Sequence, residues 1–110
     1  MKKENIVKRN DDFHRLIQQG SYVKDKNLVI YTMPNNLSKA RFVVSVGTKI
    51  GKAHIRNKLK RQLRNIVDNN KNSYSKSQDY IIIVRKNCLN ITFQEMEESY
   101  SRLFQKLNHK

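Results

Sequence analysis

The sequence predicts an α+β fold, a single-domain, two-layer sandwich in which a small sheet of three or four strands is covered by helices. Three observations carry this. Short segments rich in β-branched and aromatic residues, NLVIYTM at 27–33, RFVVSV at 41–46 and DYIIIVRK at 79–86, read as strands. Segments at both ends of the chain repeat apolar residues at helical spacing. A basic stretch at 52–68 also keeps a helical apolar stripe. The 110 residues suit one domain, 1–110, with a thin core.

The elements follow in order. Asn10 or Asp11 can cap a first helix whose first turn holds carboxylates; Phe13, Leu16 and Ile17 share a face, and Gly20 suits its end. A short extra strand is possible over Ser21–Lys24. The strand at 27–33 leads into MPNNLSKA, turn chemistry around the only proline. In the strand at 41–46, Phe42, Val44 and Val46 face one way. A loop from Gly47 to Gly51 precedes the long helix at 52–68. The segment 79–86 is apolar on both faces, as an interior strand would be. Thr92 and Glu95 form a capping box, and Phe93, Met96, Tyr100, Leu103, Phe104 and Leu107 keep helical spacing behind it. The order is α-β-β-α-β-α, with the short strand optional.

Charge points to a partner. The net charge is +14 and the pI about 10.2, an excess that repels itself in a folded chain and suits a polyanion. KAHIRNKLKRQLRN, 52–65, holds six Lys/Arg and no carboxylate. At about 100° per residue, Ile55, Leu59, Leu63, Ile66 and Val67 share one stripe while Arg56, Lys60, Arg61 and Arg64 sweep the other side, with Asn57 among them. No Asp or Glu occurs from Lys26 to Val67, against ten Lys/Arg. A solvated helix face is the plainer alternative, but such faces mix signs, because like charges one turn apart destabilise a helix. Phosphate binding accounts for the pattern better. Strands precede the basic helix, not the short helix and tight turn of a DNA-reading pair, so RNA fits better than DNA. Phe13 and Tyr31 suit stacking on unpaired bases, and Phe13 equally suits an apolar core face.

Catalysis finds little support within the chain. The basic segment has no carboxylate to serve as base or Mg²⁺ ligand. Asp11 and Asp12 are explained by capping, and His14, His54 and His109 share no spacing with a nucleophile. Cys88, the lone cysteine, reads as a small buried apolar residue in a reducing compartment. The basic N-terminus has no apolar stretch behind it, and Ile81–Val84 is far too short for a membrane span. The chain reads as soluble and cytoplasmic, with no membrane partner.

KIGKAHIRNKLKRQLRN resembles the signature of the bacterial ribonuclease P protein component, K-x-G-x-A-x-x-R-N-x-x-K-R-x-x-R, known as the RNR motif. Lys49, Gly51, Ala53, Arg56, Asn57, Lys60, Arg61 and Arg64 match it. The likeness covers nearly the whole chain: NDDFHRLIQQG resembles the family's N-terminal helix, LVIYT its leader-facing strand and DYIIIVRK the strand after the motif. It implies a mixed sheet with the basic helix in a βαβ crossover, and a protein subunit without catalytic residues of its own. The catalytic RNA, with Mg²⁺, would cleave the 5′ leader from precursor tRNA. The protein alone would bind no cofactor and would be monomeric, with anions stabilising it. Arg56, Asn57, Lys60, Arg61 and Arg64 carry over as contacts to ribonuclease P RNA, with Lys52 a lesser member. Phe13, Tyr31 and Lys49 carry over to the leader-binding cleft. Two departures touch that cleft: Ser45-Val46-Gly47-Thr48-Lys49 stands where the family commonly has S-V-S-K-K, and Ile17 replaces a second aromatic. A ribosomal or general RNA-binding protein is the alternative function.

Overall fold

The computed structural model describes residues 20–35, 39–70 and 77–108. Their order is β1 (Ser21–Lys24), β2 (Leu28–Pro34), β3 (Arg41–Ser45), a 3-10 turn (Thr48–Ile50), α1 (Ala53–Asn69), β4 (Gln78–Val84), a second 3-10 turn (Lys86–Asn90) and α2 (Phe93–Asn108). The expected helix behind Asn10 lies outside the described residues. The optional strand at Ser21–Lys24 is present, and the four strands form one sheet in the order β1-β2-β4-β3. β1 pairs antiparallel with β2, β2 antiparallel with β4, and β3 parallel with β4. A parallel pair cannot be joined by a tight turn, so the chain crosses between β3 and β4 through α1. This is the mixed sheet and βαβ crossover that the resemblance implied.

Strand β4 is the interior strand that its composition predicts: Tyr80, Ile81, Ile82 and Val84 are all buried. Tyr80, Ile82 and Val84 face the helices, together with Phe42, Val44, Leu28, Ile30 and Val23. Leu59, Leu63, Ile66 and Val67 of α1 and Met96, Tyr100, Leu103 and Phe104 of α2 complete this core. An aromatic run ties its layers together: Phe42 is stacked on Tyr80 at 5.2 Å, while Phe104 meets Tyr80 at 5.2 Å and Tyr100 at 4.6 Å in tilted contacts. Among the described residues both helices lie on this one face. Ile81, Ile83, Val29, Tyr31 and Val43 alternate to the other.

Of the boundaries that shift from their expected places, three have local reasons. Strand β2 begins at Leu28 and runs to Pro34, because Asn27 is drawn into the preceding turn. Pro34 thus ends a strand, where a missing N–H breaks no interior ladder bond. Strand β4 ends at Val84 because Arg85 opens the 3-10 turn, its carbonyl accepting the Cys88 N–H at 3.0 Å. The capping box forms as expected, with Thr92 N–H donating to Glu95 Oε1 and Glu95 N–H to Thr92 Oγ1, each at 3.1 Å.

A buried polar joint locks the β1–β2 hairpin onto α2. Asp25 Oδ1 accepts the N–H groups of Asn27 and Leu28 at 2.7 and 2.9 Å, which shapes the turn. Asn27 Nδ2 donates to Ser99 Oγ on α2 at 2.6 Å, and Asn87 Nδ2 donates to Asn27 Oδ1 at 2.6 Å. Cys88 is buried beside this joint, as expected, with Sγ 3.2 Å from the Asn27 carbonyl. Burial, then the charge of Asp25, push its thiol up to about 11 against an opposing backbone hydrogen bond from Arg85.

Burial raises the pKa of Asp25, but the N–H groups of Leu28 and Asn27, the Ser99 hydroxyl and Arg102 outweigh it, so the carboxyl sits below its usual 3.8. A depressed folded pKa gives stability that is complete above the unfolded value and disappears as pH falls through the folded one. The urea midpoint should therefore fall as pH drops below about 4, and Asp25→Asn should flatten that fall. An equal acid loss in both proteins would place the sensitivity elsewhere.

Candidate nucleic-acid interface

Helix α1 is held to the sheet by Leu59, Leu63, Ile66 and Val67, with Ile55 packed at the margin. Its helical rotation carries Arg56, Asn57, Lys60, Arg61 and Arg64 onto the arc facing away from the core. Asn57, Arg61 and Arg64 are exposed, while Arg56 and Lys60 are half-buried at the rim of the apolar stripe. Lys52, at the N-cap, is exposed, as is His54 in the first turn. Arg56 is anchored: its Nε–H donates to the Gly51 carbonyl at 3.1 Å, which pins the guanidinium to the loop before the helix. Among the described residues none of these cations forms an ion pair.

The charge arrangement runs against the stability of the helix. Its first turn holds no acid and its last turn no base, while Lys52 and Arg56 stand at the positive end of the helix dipole. Asp68 lies near the negative end. The N-cap makes no side-chain hydrogen bond either. Neither dipole nor cap explains the cations, whereas a row of phosphates would oppose their repulsion directly.

A further cation of the acid-free span is tied into the sheet instead. Arg41 turns onto Asp79, its register partner across β3 and β4, with Nε 2.7 Å from Oδ1 and a terminal nitrogen 2.6 Å from Oδ2. Asn35 Nδ2 donates to the same Oδ1 at 2.7 Å. Sequence alone counts Arg41 with the free cations; its partner lies 38 residues away.

Of the residues assigned to a leader cleft, Phe13 lies outside the described residues. Tyr31 lies mid-strand in β2, half-buried on the sheet face away from α1 and α2. Lys49 is exposed in the Thr48–Ile50 turn beyond the end of β3, against the Lys86–Asn90 turn. Tyr31 has a neighbour that sequence reading missed: Tyr22 of β1 is its register partner, with ring centroids 5.4 Å apart. The signal was there in Tyr22-Val23-Lys24, where an inward Val23 forces its two neighbours outward.

Among the described residues no three His, Cys, Asp or Glu side chains are grouped to bind a metal ion, and no helix is long and apolar enough to cross a membrane.

Comparison with known proteins agrees with this geometry. The Ribonuclease P family matches residues 1–108. The ribonuclease P protein component of Bacillus pumilus is 35% identical over 107 residues, covering 96% of this chain and 90% of its own length. That of Mycoplasma mycoides subsp. mycoides SC is 35% identical over 108 residues, covering 97% and 99%. Among solved structures, a Staphylococcus aureus RNase P protein superimposes with a TM-score of 0.86 at 30% identity, covering 94% of each chain. The Thermotoga maritima RNase P protein does so with a TM-score of 0.83 at 28% identity, covering 92% of this chain and 96% of its own. Fold, motif spacing and whole-length similarity agree: this chain belongs to the ribonuclease P protein component family, the protein subunits of the tRNA-processing endoribonuclease.

Proposed function

We propose that this chain binds the catalytic RNA of ribonuclease P through α1 and holds the single-stranded 5′ leader of precursor tRNA on the sheet face away from α1 and α2. It thereby promotes Mg²⁺-dependent removal of the leader to make the mature tRNA 5′ end. The observation that carries this reading is the row of cations on the outer face of α1, which meets no acid from Lys52 to Val67 and opposes the helix's own dipole. Lys52, Arg56, Asn57, Lys60, Arg61 and Arg64 are the RNA contacts; Phe13, Tyr31 and Lys49 receive the leader. Mg²⁺ prefers oxygen ligands, and the basic face offers no carboxylate, so we assign the metal and the phosphodiester chemistry to the RNA. The protein alone is a monomer without a bound cofactor, working in the cytoplasm.

Reconstitution tests the whole reading. Added to a bacterial ribonuclease P RNA at low Mg²⁺, the protein should stimulate cleavage of precursor tRNA; no stimulation would leave only a general RNA-binding role. Arg56→Ala and Arg64→Ala should weaken assembly and lower the slope of log affinity against log salt by about 0.9 per lost phosphate contact. An unchanged slope would make those arginines ordinary solvated residues. Sulfate or phosphate should raise the melting temperature by binding the native cationic face. A melting temperature flat across anion concentrations would count against that face binding phosphate.

A further inference from the structure

We infer that Tyr22 and Lys24 of β1 form an additional one-nucleotide subsite, Tyr22 stacking on a leader base and Lys24 meeting its phosphate. The inference rests on the reading of the sheet face away from α1 and α2 as the holder of the leader, and extends that face to the outer strand of the described sheet.

The register lays out the face in rows. Tyr22, Tyr31, Ile81 and Val43 lie side by side across β1, β2, β4 and β3. The next row is Lys24, Val29, Ile83 and Ser45. On the other side, Met33, Asp79 and Arg41 form a row closed by the Arg41–Asp79 ion pair. An aromatic and apolar floor thus runs to the β1 edge, where it meets a cation.

Tyr22 is 48% exposed, the most exposed large apolar side chain among the described residues. Its ring is tilted 36° from that of Tyr31 at 5.4 Å, so the two make a continuous aromatic surface with one part still open to solvent. Every nucleobase has a π-face, so such a surface takes a single strand without needing a given sequence. Residues i and i+2 of a strand share a face and lie about 7 Å apart, close to the repeat of an extended nucleotide chain. Lys24 is exposed at that spacing from Tyr22. An exposed aromatic beside an exposed lysine on an edge strand does nothing for the core, which Val23 alone of β1 enters.

The test uses the holoenzyme reconstituted with a bacterial ribonuclease P RNA, and precursor tRNA carrying either a long or a fully trimmed leader. Tyr22→Ala should weaken binding of the long-leader substrate about tenfold, as expected for one lost stacking contact. It should leave the trimmed substrate and the cleavage rate at saturation unchanged. Tyr22→Phe, which keeps the ring, should bind as the unaltered protein does. Lys24→Gln should lower the salt slope for the long leader alone, by about 0.7, the value for one single-strand phosphate. If Tyr31→Ala costs long-leader affinity and Tyr22→Ala does not, the subsite is overturned and the leader face stands. Equal losses on both substrates would also overturn it, making Tyr22 structural. If neither tyrosine variant distinguishes leader length, the leader face itself fails and the subsite with it.

Discussion

The parallel pairing of β3 with β4 is the constraint from which the rest of the molecule follows. Two neighbouring parallel strands need a connection that returns the chain to the same end of the sheet, and α1 supplies it. Once the crossover is made, the helix has no choice of orientation: Leu59, Leu63, Ile66 and Val67 go down onto Phe42, Val44, Tyr80 and Ile82. The opposite arc, with Arg56, Lys60, Arg61 and Arg64, must then face outward. Burial of the apolar stripe, at about 25 cal/mol per Å² of apolar surface, is what holds a self-repelling row of cations in register.

The two helices differ in what their charges are for. α2 places Glu95 in its first turn and Lys106 in its last, and closes its start with a reciprocal capping box. Each feature agrees with the dipole and with the unsatisfied N–H groups of a helix start. α1 has none of these and carries cations where α2 carries an acid. In one small chain, then, the same backbone is built once for stability and once against it. The natural reason for the second is a partner that supplies the missing negative charge. Arg41 shows the contrast from the other side: placed in a strand, a cation of the same acid-free span pairs with a buried carboxylate and joins the scaffold.

The polar joint around Asn27 performs a matching service on the other half of the sheet. β1 is four residues long and among the described residues pairs with β2 alone, so its ladder offers little hold. The hydrogen bonds from Asn27 to Ser99 and from Asn87 to Asn27 tie the hairpin turn to the last helix and to the 3-10 turn before it. A buried network of this kind fixes geometry, since any slip would leave more polar groups unpaired. Its consequence lies on the far face of the sheet, where the register places Tyr22 beside Tyr31. The sheet face that carries Tyr22 and Tyr31 and the cationic helix α1 are therefore held by different means, the first by a polar joint and the second by apolar burial.

Much of this was legible in the residues themselves. Periodicity located every described strand and helix to within about two residues, because apolar alternation and helical spacing are local. The capping box at Thr92 and the cationic arc of α1 were readable for the same reason. The motif spacing from Lys49 to Arg64 named the family, and with it the mixed sheet. What the chain could not disclose alone were pairings between distant segments. Arg41 reads as one more free cation until Asp79 is brought beside it. Asn27 reads as a strand residue until Ser99 and Asn87 claim its amide. Tyr22 reads as a residue of a marginal strand until the β1–β2 register sets its ring against Tyr31. Local pattern determines what a segment becomes and which of its sides is wet. Only the packed sheet decides which charges are spent inside and which aromatic rings meet, because those depend on neighbours that sequence order keeps apart.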